Sequence, residues 1–189
     1  MNERRKGWFK IAGVQHGDRT LQEQLRGLGA IDFAGKTVLD LGCAEGLIAY
    51  YALSQGAAAA HGVEIVPGRI DEARRQCERW GDRAQFWHMD LVNFGANAHQ
   101  FRQHYDVVLM LAILHKLRWP FGLLYAMREL TPDLCVVRLP KDCDGLIIDD
   151  RSKRVPYDVP NWFDRNGYDL EQVQRGHLDE WTGYFRKRP

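Results

Sequence analysis

Long apolar runs are scarce in this sequence. The longest, Val107 to Leu114, is far shorter than the roughly 20 residues a helix needs to cross a bilayer, so no membrane partner is expected. Cysteine is sparse: Cys43, Cys77, Cys135 and Cys143 show no close pairing of the zinc-ribbon or redox kind. A chain of 189 residues needs no disulfide staples, and reduced thiols in a cytoplasmic setting are the expectation. A charge excess is also missing. With 26 basic against 25 acidic residues, net +1, no global field draws the protein to nucleic acid, and any such binding needs a local patch. The basic opening stretch, residues 1–10, is not followed by the apolar segment of a secretory signal. Repeats, low-complexity tracts and Ser/Gly linkers are absent too, while 45% hydrophobic and 27% charged residues are ordinary for a globular protein and exclude disorder. The length suits one domain over 1–189, with 1–34 as an amino-terminal covering segment and 35–189 as the core.

What is present is an alternation of short apolar runs with longer helical patterns, which predicts a parallel sheet. The expected strands are Thr37 to Leu41, Ala59 to Ile65, Ala84 to Met89, Asp106 to Leu111 and Leu134 to Leu139. Helices are expected over Gly46 to Gln55, Arg69 to Trp80 (with Pro67 in the first turn) and Phe121 to Leu130. Tyr168 to Gln174 and Trp181 to Lys187 alternate large apolar and polar residues, the pattern of an antiparallel hairpin turning near Gly176 to Asp179. Thr20 to Leu28 places Leu21, Leu25 and Leu28 on one face of an amphipathic helix. The expected fold is therefore α/β: a Rossmann-like, seven-stranded, mostly parallel sheet with helices on both faces and a carboxyl-terminal antiparallel hairpin.

The segment Val38-Leu39-Asp40-Leu41-Gly42-Cys43-Ala44-Glu45-Gly46 carries the most information. Its glycines allow a tight turn and a close approach of backbone to ligand, although an ordinary strand-to-helix turn reads the same way. Three acids then fall at strand ends: Asp40 before the first glycine, Glu64 closing the second strand and Asp90 after the third. All three should reach the carboxyl edge of a parallel sheet, where open sheets bind ligands. With these residues the sequence resembles the class I S-adenosylmethionine-dependent methyltransferases, whose first motif is an acid followed by three alternating glycines. Asp40, Gly42 and Gly46 match it, and Ala44 replaces the middle glycine. The resemblance implies S-adenosylmethionine as cofactor, its methionine part held by Asp40 and the turn from Gly42 through Cys43 and Ala44 to Gly46. It further implies that Glu64 accepts from both ribose hydroxyls and Asp90 from the adenine amino group, with Ile65, Leu91 and Leu111 beside them. A dinucleotide dehydrogenase shares the glycine turn, but Asp40 would set a negative charge against a pyrophosphate, whereas it attracts a sulfonium or ammonium.

The acceptor should lie where the fourth strand exits, at Leu111 to Leu117. An Asn-Pro-Pro-Tyr motif for exocyclic or amide nitrogens is missing there. His115 is a candidate general base or a packing residue, and Lys116 a solvated charge. Arg138 interrupts an apolar strand; it either binds an acidic or phosphate-bearing acceptor or pairs with a carboxylate such as Asp106 or Glu180. Residues Lys141 to Pro160 read as an active-site loop or a solvated connection, and Gln15 to Arg19 as a flap or a turn. Trp119, Trp162 and Trp181 read as packing. The expected activity is methyl transfer to oxygen or nitrogen of a small or medium-sized acceptor. Two alternatives stand beside it. Arg4 to Lys10 resembles the opening of heat-shock-type ribosomal RNA ribose methyltransferases, with Lys10 and Glu180 filling two of their four catalytic places. A non-catalytic module that only binds S-adenosylmethionine is the other.

Overall fold

The structure, a computed structural model, describes residues 9–11, 14–16, 21–101, 104–117, 119–141, 146–147 and 157–189. The basic stretch 1–8, residues 17–20, Cys143 and most of the expected lid therefore lie outside the described residues. In chain order the elements are β1 (Phe9–Ile11), β2 (Val14–His16), α1 (Leu21–Leu25), β3 (Thr37–Leu41), α2 (Leu47–Ser54), β4 (Ala59–Glu64), α3 (Pro67–Cys77), β5 (Ala84–His88) and α4 (Phe94–Asn97). They continue with β6 (Val107–Leu111), α5 (Pro120–Leu130), β7 (Leu134–Leu139), β8 (Leu146–Ile147), β9 (Tyr157–Asp158), α6 (Val159–Arg165), β10 (Tyr168–Arg175) and β11 (Trp181–Lys187).

Seven strands form the main sheet in the order β10-β11-β7-β6-β3-β4-β5. Strands β7, β6, β3, β4 and β5 are parallel neighbours; β11 runs antiparallel to β7, and β10 antiparallel to β11. The expected architecture is thus the observed one. Side-chain alternation divides the core into two layers. Leu39, Leu41, Val108, Met110, Cys135 and Val137 meet α5 and α6 on one face. Val38, Val107, Leu109, Leu134 and Val136 meet α2, α3 and Leu28 on the other. Helix α3 shows why this works: Pro67 sits in its first turn, and Ile70, Ala73 and Cys77 form its buried stripe.

Some local structure differs from expectation. The amino-terminal helix is shorter, ending at Leu25 ahead of Gly27, whose φ of +80° stops it. Helix α6 begins inside the segment expected to be loop. The Asp158 carboxylate accepts from the Asn161 N–H at 2.9 Å and Pro160 occupies the first turn, a start signal visible in the sequence. Trp162 and Trp181 are core residues, whereas Trp119 is half exposed. No helix among the described residues is long and apolar enough to cross a membrane.

Candidate functional site

The strand order reverses between β3 and β6, and a cleft of about 1250 Å³ opens at the carboxyl edge there, the usual place for a ligand on an open parallel sheet. Its floor is the turn after β3. The Gly42 and Cys43 N–H groups both donate to the Val63 carbonyl, at 2.8 and 3.0 Å. Ala44 then adopts a left-handed φ of +47° and donates its N–H to Glu64 Oε2 at 3.1 Å. Glu64 Oε1 accepts from the Ile65 and Val66 N–H groups, each at 3.0 Å. Three backbone donors thus fix the carboxylate, and an ionised carboxylate has about four lone-pair sites, so acceptor capacity remains for a ligand.

Asp40 lies one strand over, 3% exposed. Burial, then the neighbouring Glu64, push its carboxyl up to about 7, with Arg138 pulling the other way. Two buried acids facing one cleft make a site suited to a cation. Asp90 accepts from the Val92 N–H at 2.9 Å, capping the short turn Leu91–Asn93. Around these acids Ile65, Val66 and Val92 leave large apolar surface exposed on the cleft wall, as a flat ring would need.

On the acceptor side, Ala112 takes a left-handed φ of +56° and donates its N–H to the Arg138 carbonyl at 2.9 Å. The chain then forms the turn Leu114–Lys116. His115 Nδ1 is buried with no hydrogen-bond partner among the described residues. Burial, then Lys116, hold the ring's pKa below the ordinary histidine range, against an opposing pull from Glu180, so it stays neutral near pH 7. Arg138 is 1% exposed and donates to the Gln24 and Arg26 carbonyls, at 3.2 and 2.8 Å. Asp106 is not its partner: that carboxylate accepts from the Thr37 N–H and hydroxyl, at 2.6 and 2.7 Å, where β3 begins. Glu180 is on Arg138's side: a Cβ at Gly176 would lie 3.3 Å from Glu180 Oε2 and 3.6 Å from Arg138 Nε.

Of the residues singled out in the sequence, Asp40, Gly42, Cys43, Ala44, Glu64, Ile65, Asp90, Leu91, Leu111, His115 and Arg138 all line this cleft. Gly46 is placed elsewhere. Its φ is +80° and an added Cβ would stand 2.8 Å from Ala73 Cβ and 3.1 Å from Ala73 Cα, so it serves the packing of α2 on α3. Sequence reasoning missed Gly62, where a Cβ would fall 2.6 Å from Cys43 Sγ; a glycine inside an apolar strand was the available signal. It also missed Gln24, Arg69 and Leu178, brought to the cleft from distant parts of the chain.

Comparison with known proteins agrees with this geometry. A family described as a methyltransferase domain matches residues 38–132, half of the chain. Ribosomal protein L11 methyltransferase of Erwinia tasmaniensis is 48% identical over 54 residues, 29% of this chain and 18% of that one. The Escherichia coli enzyme of that name is 43% identical over 65 residues, 33% of this chain and 22% of that one. The chain thus spans about a fifth of the length of these relatives. Among solved structures, a TehB-like SAM-dependent methyltransferase from Corynebacterium glutamicum superposes with a TM-score of 0.65 at 18% identity, covering 91% of this chain and 90% of that one. Magnesium protoporphyrin IX methyltransferase from Synechocystis, with bound SAH, gives 0.62 at 18% identity over 82% and 75%. With the family match spanning the glycine turn and the strand-end acids, on a sheet of this order, the chain belongs to the methyltransferase-domain family, within the class I S-adenosylmethionine-dependent superfamily.

Proposed function

We propose that this protein transfers a methyl group from S-adenosylmethionine to an oxygen or nitrogen of a small or medium-sized acceptor held in the same cleft. The observation that carries the reading is the pair of buried carboxylates, Asp40 and Glu64, on adjacent parallel strands facing one cleft. The residues fit this cofactor. Asp40 would face its cationic methionine end, Glu64 its ribose diol, and Asp90 with Ile65, Val66 and Val92 the adenine. Cys43, Ala44, Leu91 and Leu111 would supply close walls, within a single domain over 1–189 that has 35–189 as its core and 1–34 as its amino-terminal covering segment. When bound, S-adenosylmethionine supplies an electrophilic methyl on a sulfonium.

The chain's own residues then have simple tasks. The turn and Glu64, already tied together by backbone donors, orient the donor. The apolar wall of Ile113, Leu117, Pro140 and Leu178 excludes water beside the acceptor. His115, neutral and with its Nδ1 unpartnered, takes the proton from an acceptor hydroxyl or amine. Arg138 donates to two backbone carbonyls, so we infer a positioning role for it in place of direct acceptor binding. Volume favours a modest acceptor: ligand clefts commonly run about 300 to 1,000 Å³, and about 1250 Å³ leaves space beside the cofactor. Incubating the protein with methyl-labelled S-adenosylmethionine and a fractionated cell extract tests this. Label entering the small-molecule fraction supports the reading. Label confined to RNA or protein overturns the acceptor class, and no transfer at all favours a binding module.

A further inference from the structure

Arg138 connects three parts of the site. It pairs in register with Leu111 on β6 and with Thr182 on β11, and its carbonyl holds the Ala112 N–H that starts the acceptor loop. Its guanidinium donates to the Gln24 and Arg26 carbonyls and, at 3.4 Å, to Thr182 Oγ1. Other groups fasten the same segment. The Tyr184 hydroxyl donates to the Gly27 carbonyl, His177 Nδ1 lies 3.8 Å from Glu23 Oε1, and Leu28 is buried. Gln24 itself lines the cleft. Within the same cleft, Arg138 favours the ionised form of Asp40, while Glu64 from β4 opposes it; Cys43, in the turn after β3, also interacts with that carboxylate.

We propose that Arg138 is a positioning residue that couples docking of residues 23–28 to cofactor binding, its buried guanidinium holding the Gln24 and Arg26 carbonyls beside the cleft that Gln24, Asp40 and Arg138 line together. The coupling follows from the cost of taking hydrogen-bond acceptors away from a buried guanidinium. A docked segment fixes the cation at the cleft, where it favours the ionised form of Asp40 that a cationic ligand needs. A lifted segment removes two of its acceptors, and the cation loses that fixed position. The inference rests on the cofactor reading above.

Hydrogen exchange over residues 23–28, with and without S-adenosylhomocysteine, and titrations of that compound below and above neutrality test it in the full chain and in Arg138→Met and Arg138→Lys. In the wild type the ligand should slow exchange of the segment. Arg138→Met should exchange faster when free, lose the ligand-induced slowing and bind on the order of tenfold more weakly, the loss being greater below neutrality than above it. Arg138→Lys should fall between, because an ammonium cannot span both carbonyls and Thr182. A purely structural role would weaken binding equally at every pH; that result, or unchanged exchange in both variants, overturns the proposal. Should Arg138→Met not fold by circular dichroism, Arg138→Lys carries the comparison. If the wild type binds no S-adenosylhomocysteine, the cofactor reading fails, and exchange in the ligand-free wild type and Arg138→Lys still decides the clasp: equal rates would overturn it.

Discussion

The Ala44 N–H donates to Glu64 Oε2 at 3.1 Å, so the turn after β3 and the acid closing β4 hold each other in place. Glu64→Ala should therefore act twice. Losing hydrogen bonds to a charged acceptor costs about 1.5 to 3 kcal/mol each way, which predicts roughly tenfold or greater loss of cofactor affinity and a lower melting temperature. Calorimetry and thermal melts on one preparation separate the two effects. Unchanged affinity would mean the diol is held elsewhere.

Ala44 occupies the middle glycine's place with φ at +47°, a left-handed conformation that costs an L-residue about 1 to 2 kcal/mol. Glycine avoids that cost but adds freedom to the unfolded chain, worth about 0.4 to 1 kcal/mol. Ala44→Gly should raise stability by up to about 1.6 kcal/mol, the strain relieved less the freedom added, read by denaturant unfolding. A destabilised variant would show that the methyl contributes packing that outweighs the strain.

Asp40 gives the site a pH dependence of definite sign. Its carboxyl is raised in the folded protein to about 7 from an ordinary 3.8. The stability this protonated group contributes is fully present below about pH 4 and is lost as pH rises through 7. A cationic ligand needs the ionised form, so its affinity should climb through the same range, by at most about tenfold per pH unit, with proton release on binding below neutrality. Calorimetry in buffers of different ionisation enthalpy counts those protons. Affinity that is flat from pH 6 to 8 would remove Asp40 from the binding site.

His115→Gln should leave S-adenosylhomocysteine binding near the wild-type value while slowing methyl transfer by about 10² to 10⁴-fold. The acid limb of the rate profile, which should lie below the ordinary histidine range because burial disfavours the charged ring, should vanish with it. A variant that keeps its rate places the base elsewhere or shows that none is needed.

Much of this was legible in the sequence, and the exceptions have physical reasons. Strands β3 and β7 begin and end where the apolar runs do, because strands buried on both faces are largely apolar, Asp40 at the cleft end of β3 being one exception. Arg138 broke that pattern, and the distant carbonyls of Gln24 and Arg26 with the Thr182 hydroxyl help to explain how a charge is tolerated in β7. No local signal announces such a partner. Gly46 looked like a ligand-approach glycine, yet a helix-packing contact demands the same residue. Leu178, also at positive φ, reaches the cleft because β11 pairs with β7 and carries the hairpin turn there. Helix α6 was readable from Asp158 and Pro160, but a polar stretch with two prolines also suits a loop.

Titrating S-adenosylhomocysteine into the intact chain by calorimetry at mildly alkaline pH tests the central claim most directly. One saturable site, lost or weakened about tenfold or more in Glu64→Ala, is the expected result. No heat with S-adenosylhomocysteine or S-adenosylmethionine, from a protein that binds a nicotinamide dinucleotide instead, would contradict it.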